Sequence, residues 1–228
     1  MTVPPASEKQ RLAAEAIGTA LLVAAVIGSG IMAQRLTGDR AVALLANTIA
    51  TGGALVAILL MFGPVSGAHL NPAVTLCMVV MKEQSPRRAA GYIAAQVAGG
   101  VAGAVLANAM FELPPLTWST TPRSGFAQWL SEAVATFGLM GVVVAVGRAR
   151  AALVPFAVAA YIVAAYWFTA STSFANPAVT IARAWSDTFA GIRPADVGGF
   201  LVAQAIGAAA GARVFSWLVP APRYGDGV

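Results

Sequence analysis

The chain has 228 residues, of which 58% are hydrophobic and only 10% charged, with a mean hydropathy of +0.76. That composition excludes a water-soluble globular domain and supplies enough apolar length for several membrane spans. A net charge of +5 could suit nucleic acid, but the Lys and Arg residues sit in short connections between apolar runs, the pattern of membrane topology.

Met1 to Gln10 reads as a short polar tail, and Arg11 to Gln34 as a long apolar run broken only by Glu15. Its stretch from Ala16 to Ala33 exceeds the roughly 7–15 residues of a signal-peptide core, so it predicts a first span. The second span is predicted from about Ala41 to Phe62, with Gly63-Pro64-Val65-Ser66-Gly67 breaking the helix after it. A short apolar segment, Val74 to Met81, ends at Lys82-Glu83. Pro86-Arg87-Arg88 then introduces a third span, about Ala89 to Met110. Glu112 to Ser124, with Pro114, Pro115 and Pro122, is too polar and kinked to cross a bilayer. A fourth span covers about Phe126 to Val146, followed by the hinge Gly147-Arg148-Ala149-Arg150. Span five is about Leu153 to Ala170, a second short segment runs from Val179 to Trp185, and Ser186 to Ala195 is a polar loop. Span six, about Val197 to Leu218, leads to the tail Val219 to Val228.

The two short segments begin alike. Gly67-Ala68-His69-Leu70-Asn71-Pro72-Ala73-Val74-Thr75 nearly recurs as Ser173-Phe174-Ala175-Asn176-Pro177-Ala178-Val179-Thr180. Asn caps free N–H groups and Pro tolerates the first helical position, so each Asn-Pro is a helix start. About ten helical residues rise roughly 15 Å, half of a ~30 Å hydrocarbon core. A matched pair of half-helices suggests a pore.

Other segments repeat as well. Ala14-Glu15-Ala16-Ile17-Gly18-Thr19 matches Ser131-Glu132-Ala133-Val134-Ala135-Thr136, and Ala95-Gln96-Val97-Ala98-Gly99-Gly100 matches Ala203-Gln204-Ala205-Ile206-Gly207-Ala208. A unit of three spans is odd, so two copies enter the membrane from opposite sides as an inverted repeat, here residues 1–118 and 119–228 of one integral domain. The amino-terminal side holds Lys9, Arg11, Lys82, Arg87, Arg88, Arg148, Arg150, Arg213 and Arg223. The other side holds Arg35, Arg40, Arg123, Arg183 and Arg193. Positive charge favours the cytoplasm, which predicts both termini on the cytoplasmic side of the cell (inner) membrane.

Two helix N-termini facing one midplane spot give it a positive potential. Asn71 and Asn176 add side-chain amides that can donate to a passing hydroxyl oxygen, favouring neutral hydrogen-bonding solutes over cations. Each Asn also serves as a cap. Glu15 and Glu132 are carboxylates inside spans, open to proton relay or, one per half, to bracing the re-entrant loops. His69, matched by Phe174, reads as a loop-fixing hydrogen-bonder and Cys77 as core. One cysteine and one histidine exclude a disulfide framework and a Cys/His metal cluster. Gly99, Gly100, Gly103, Gly207 and Gly211 permit close helix contact, within the subunit or between subunits.

With two Asn-Pro-Ala motifs in an inverted repeat, essentially the whole chain resembles the aquaporin (major intrinsic protein) family. The resemblance implies an all-α membrane protein of six transmembrane helices plus two re-entrant half-helices. It also implies a homotetramer with one pore per subunit, passing water or small neutral solutes across the lipid bilayer. Neither a cofactor, a metal, nucleic acid nor a catalytic step is implied.

The chain departs from the family where members usually carry an arginine, three residues after the second asparagine. Here Val179 stands there. Thr51 falls on the second constriction position, twenty residues before Asn71. Ser173 fills the loop position, and Ala164 is the match on span five. All four are small and uncharged, which predicts a wide selectivity filter. Arg183, one turn beyond Val179, lies at the outer mouth, or else snorkels to anchor the short helix.

This filter resembles a divergent bacterial branch of aquaglyceroporins associated with arsenic resistance, which implies arsenous acid and methylated arsenicals as solutes. Glycerol, urea and boric acid fit a wide neutral pore equally. The alternatives are an ordinary water channel, a structural membrane protein on this fold, and a secondary transporter. A membrane enzyme lacks any nucleophile–base pair.

Overall fold

A computed structural model describes residues 5–220. It comprises α1 (Glu8–Leu36), α2 (Arg40–Ser66), α3 (Pro72–Val80), α4 (Pro86–Met110), α5 (Phe126–Arg150), α6 (Val154–Phe168), α7 (Pro177–Arg183) and α8 (Pro194–Leu218), with a 3-10 turn at Ala151–Leu153. Helices α1, α2, α4 and α8 are each long and apolar enough to cross a membrane, and Phe126–Phe168 adds 43 further residues. Because α5 and α6 pack side by side, that segment folds back on itself and contributes two passes. The protein is an all-α, multi-pass membrane protein, with α3 and α7 as its two half-length helices.

Several boundaries differ from the sequence reading. Helix α1 begins at Glu8, inside the supposed polar tail, because Ser7 and Gln10 form a reciprocal capping box. Gly63-Pro64 does not break α2, which continues through Pro64 to Ser66 and stops at Gly67 in the left-handed region, φ 88°. A proline in the last turn costs little more than one helical hydrogen bond, and Gly67 supplies the true stop. Helix α6 ends at Phe168 rather than Ala170. Its 15 residues rise only about 22 Å, so non-helical backbone completes that pass. Arg223, among the cations counted for topology, lies outside the described residues.

Packing in one half has its counterpart in the other. Helix α1 lies on α4 and α2, α5 lies on α8 and α6, and α2 meets α6. The half-helices fill the space between α4 and α8 and touch each other. The helix crossings depend on glycine: a Cβ at Gly99 would overlap the Ala16 carbonyl, and one at Gly207 would overlap that of Ala133. These glycines therefore serve contacts within the chain.

Candidate pore and its two re-entrant loops

The loops ahead of α3 and α7 share one strained conformation. Gly67, Ala68 and Leu70 have φ of 88°, 46° and 50°, and Thr172, Ser173 and Ala175 have 61°, 50° and 46°. For a residue with a Cβ this region costs about 1–2 kcal/mol, so something must hold the loops in place. The holders are two carboxylates that are fully buried. Glu15 accepts from the backbone N–H groups of His69 (3.0 Å) and Leu70 (2.7 Å), from Ser66 Oγ (2.6 Å) and from Gln96 Nε2 (2.7 Å). Glu132 accepts from the N–H groups of Phe174 (2.9 Å) and Ala175 (2.8 Å) and from Gln204 Nε2 (2.6 Å). Each glutamine also donates to the threonine of its half-helix, Thr75 or Thr180. All of these residues except Ser66 lie in segments that repeat in the sequence.

Both asparagines cap and cross over. Asn71 Oδ1 accepts from Ala73 N–H, and Asn176 Oδ1 from the N–H groups of Ala178 and Val179. Asn71 Nδ2 donates to the Ala175 carbonyl and Asn176 Nδ2 to the Leu70 carbonyl, each over 2.8 Å. An amide carries two N–H donors, so one per asparagine is spent tying the loops together and one is left over. His69 bonds Thr75 through Nδ1 (3.1 Å) and meets the Tyr92 ring edge-on, while Phe174 packs edge-on against Phe200 in the other half. Cys77 is buried, with its thiol on the Ala208 carbonyl.

Along these loops runs a cavity of about 420 Å³. Its apolar wall is built from helical stripes spaced four residues apart: Thr51, Leu55, Leu59 and Gly63 on α2, and Val154, Val158, Ile162 and Tyr166 on α6. Twelve residues separate Thr51 from Gly63, a rise of about 18 Å. The facing wall is polar loop: His69, Leu70, Asn71, Ser173, Phe174, Ala175 and Asn176. Among the described residues, Arg183 is the one Arg, Lys, Asp or Glu in the lining.

Thr51, Ser173, Val179 and Arg183 all line this cavity, but Ala164 does not. Ala164 sits on the exposed face of α6, and Tyr166 takes its place. Two residues turn a helix by about 200°, so a register error of two exchanges its inner and outer faces. Tyr166 OH lies 3.3 Å from Thr51 Oγ1, which puts an aromatic ring where the sequence reading had only small side chains. Ser173 Oγ is buried with no hydrogen-bond partner among the described residues.

Arg183 is only 3% exposed, which rules out a snorkelling anchor. Its guanidinium stacks 3.3 Å from the Phe174 ring centroid, and Nε donates to the Ala190 carbonyl. A second arginine, which in the sequence serves only the charge count for topology, stacks on the same ring. Arg123 lies 5.0 Å from that centroid and donates to the carbonyls of Gly191 (2.7 Å), Ser171 (3.3 Å) and Phe189 (3.3 Å). In sequence it was one cation in a proline-rich linker, with no local pattern to mark it.

The model of the major intrinsic protein family matches residues 4–155. The chain belongs to the major intrinsic protein family. Over 214 residues it is 54% identical to the aquaglyceroporin AqpS of Rhizobium meliloti, covering 94% of this chain and 92% of that protein. It is 30% identical over 222 residues to the rice aquaporin NIP3-1, covering 93% of this chain and 69% of the relative. The X-ray structure of the aquaglyceroporin from Plasmodium falciparum superposes with a TM-score of 0.65 at 21% identity, covering 93% and 95% of the two chains. That likeness establishes the fold. Membership of this family makes the protein a channel and not an enzyme.

Tyr166→Ala should raise the flux of solutes larger than glycerol by roughly tenfold, the effect of removing about 1.4 kcal/mol from the barrier. Ala164→Leu should leave it unchanged. Vesicle uptake at matched amounts of folded protein checks both. Equal effects of the two changes would mean that α6 faces the cavity differently.

Proposed function

We propose that the protein is a passive channel for small uncharged solutes and water, with a broad filter formed by Thr51, Tyr166, Ser173 and Val179. The observation that carries this reading is the composition of the cavity lining, which among the described residues offers a permeant cation no carboxylate. The amino-terminal ends of α3 and α7 oppose a cation further. A hydroxylated neutral solute slides its apolar side along the α2 and α6 stripes. Its hydroxyl groups meet the spare amide donors of Asn71 and Asn176 and the unpartnered Ser173 Oγ.

Arsenous acid suits these walls: a compact, neutral trihydroxy acid larger than water. Glycerol, urea and boric acid suit them too, and methylated arsenicals need the breadth that Val179 leaves. Tyr166 narrows the opening relative to a filter of four small residues, so the breadth rests on position 179. Arg183 supplies a positive charge at the outer mouth and draws in electron-rich oxygens. Glu15, Glu132 and His69 brace the loops rather than relay protons, since their hydrogen bonds are spent on loop and half-helix.

Two units, 1–118 and 119–228, insert as inverted repeats in the cell (inner) membrane with both termini cytoplasmic, and the working unit is a homotetramer. The uptake rate of arsenous acid into vesicles should rise linearly with its concentration and ignore a proton gradient. Saturation or proton coupling would identify a secondary transporter instead.

A further inference from the structure

A second cavity, of about 640 Å³, opens on the flank of the protein between α3 and α8, away from the first. Its walls are Leu76, Cys77, Val80 and Met81 from α3 and a row of small residues, Ala205, Ala208, Ala209 and Ala212, from α8. Leu76 and Val80 at its edge are 52% and 77% exposed, as lipid-facing side chains are. Polar groups gather at one end only: Arg148, Arg213 and Ser216. Arg148 and Ser216 lie in the last turns of α5 and α8, and Arg213 about one turn before the end of α8, toward the membrane surface where α3 also ends. The other end is closed by Pro177, the first residue of α7, beside the mid-membrane asparagine.

From Ser216 to Ala205 is eleven residues along α8, about 16 Å, close to half the ~30 Å hydrocarbon core. The groove is therefore one leaflet deep, apolar to the midplane and cationic at the surface. Arg148 is mostly committed: it donates to the carbonyls of Ser216 and Val219, and Glu83 lies 3.9 Å away. Arg213 is exposed and has neither a carboxylate nor a hydrogen-bond partner among the described residues. A zwitterionic phospholipid would fill the apolar groove and offer a phosphate, but its own headgroup cation offsets that charge beside the guanidinium. An anionic phospholipid answers both.

We propose that this cleft binds one anionic phospholipid, with an acyl chain along Ala205, Ala209 and Ala212 and the phosphate at Arg213, supported by Arg148. Basic pockets between transmembrane helices bind lipid headgroups in this way. The site is separate from solute passage and does not depend on which solute the channel carries.

The test is native mass spectrometry of the full-length protein equilibrated with equal phosphatidylglycerol and phosphatidylcholine of the same chain length. Wild type should retain the anionic lipid about fivefold over the neutral one, the preference expected of one basic side chain near a membrane surface. Arg213→Gln should abolish that preference, and Arg213→Lys should keep it. Neither change touches the core, so thermal stability should match wild type. Ala209→Phe, which fills the groove, should lower retention of both lipids. Equal retention of the two lipids by wild type, or an unchanged preference in Arg213→Gln, overturns the proposal. An Ala209→Phe variant that changes oligomeric mass with lipid preference intact would assign the groove to a second copy of the chain.

Discussion

Val179→Arg should reduce passage of glycerol-sized solutes by roughly 10–100-fold, a barrier increase of about 1.4–2.7 kcal/mol, while water permeability persists at a lower level. Val179 lines the cavity one helical turn before Arg183. A long side chain there projects toward Thr51 and Tyr166 and closes the opening that valine leaves. Arg183 stays out of its way, because the Phe174 ring and the Ala190 carbonyl hold its guanidinium. The new guanidinium reaches into the hydrated opening rather than packing beside the buried Arg183, which limits the cost of a second cation on α7. Thr51→Phe in addition should deepen the loss. Thr51 is already against Tyr166, so a phenyl ring must project into the same opening, and the two effects should couple. Equal uptake of arsenous acid or glycerol by wild type and Val179→Arg would move the filter elsewhere.

Glu132→Gln should be the most damaging conservative change in the protein. The Glu132 carboxylate is fully buried and accepts the N–H groups of Phe174 and Ala175 and one from Gln204. Glutamine has one acceptor oxygen, and its NH2 group would face donors that need an acceptor. Hydrogen bonds to a charged group are worth about 1.5–3 kcal/mol each, so losing one or two costs roughly 3 kcal/mol or more. That energy now holds Thr172, Ser173 and Ala175 in the left-handed region. Folded yield and unfolding temperature should fall, while flux per folded molecule changes little. Glu15→Gln should behave alike, through His69 and Leu70. Unaltered stability with a lost pH dependence of flux would instead make these residues a proton relay.

Much of this was legible because local chemistry fixed it. Asn-Pro marks a helix start wherever it occurs, and a carboxylate within an apolar run demands partners. The paired recurrence of Glu and Asn-Pro-Ala therefore marked both loops and one carboxylate for each, while the part played by Gln96 and Gln204 had no sequence signal beyond their own recurrence. What stayed hidden was facing. The stripe Leu55, Leu59, Gly63 that lines the cavity is no more apolar than Ile49 and Leu60, which are exposed on the same helix. In a membrane protein the outside is as greasy as the inside, so periodicity does not separate them. Hence Ala164 was matched where Tyr166 stands. Arg123 was hidden for another reason: its acceptors are backbone carbonyls more than forty residues away, and any sequence supplies those.

The central claim is a continuous passage for neutral solutes past Asn71 and Asn176, tested most directly by stopped-flow swelling of vesicles carrying the purified protein. Water, glycerol, urea, boric acid and arsenous acid would each supply the gradient in turn, with protein-free vesicles as the baseline. Swelling well above that baseline for water and arsenous acid, with no added potassium or proton conductance, is the predicted result. Rates indistinguishable from protein-free vesicles for every solute, or a cation current, would contradict it.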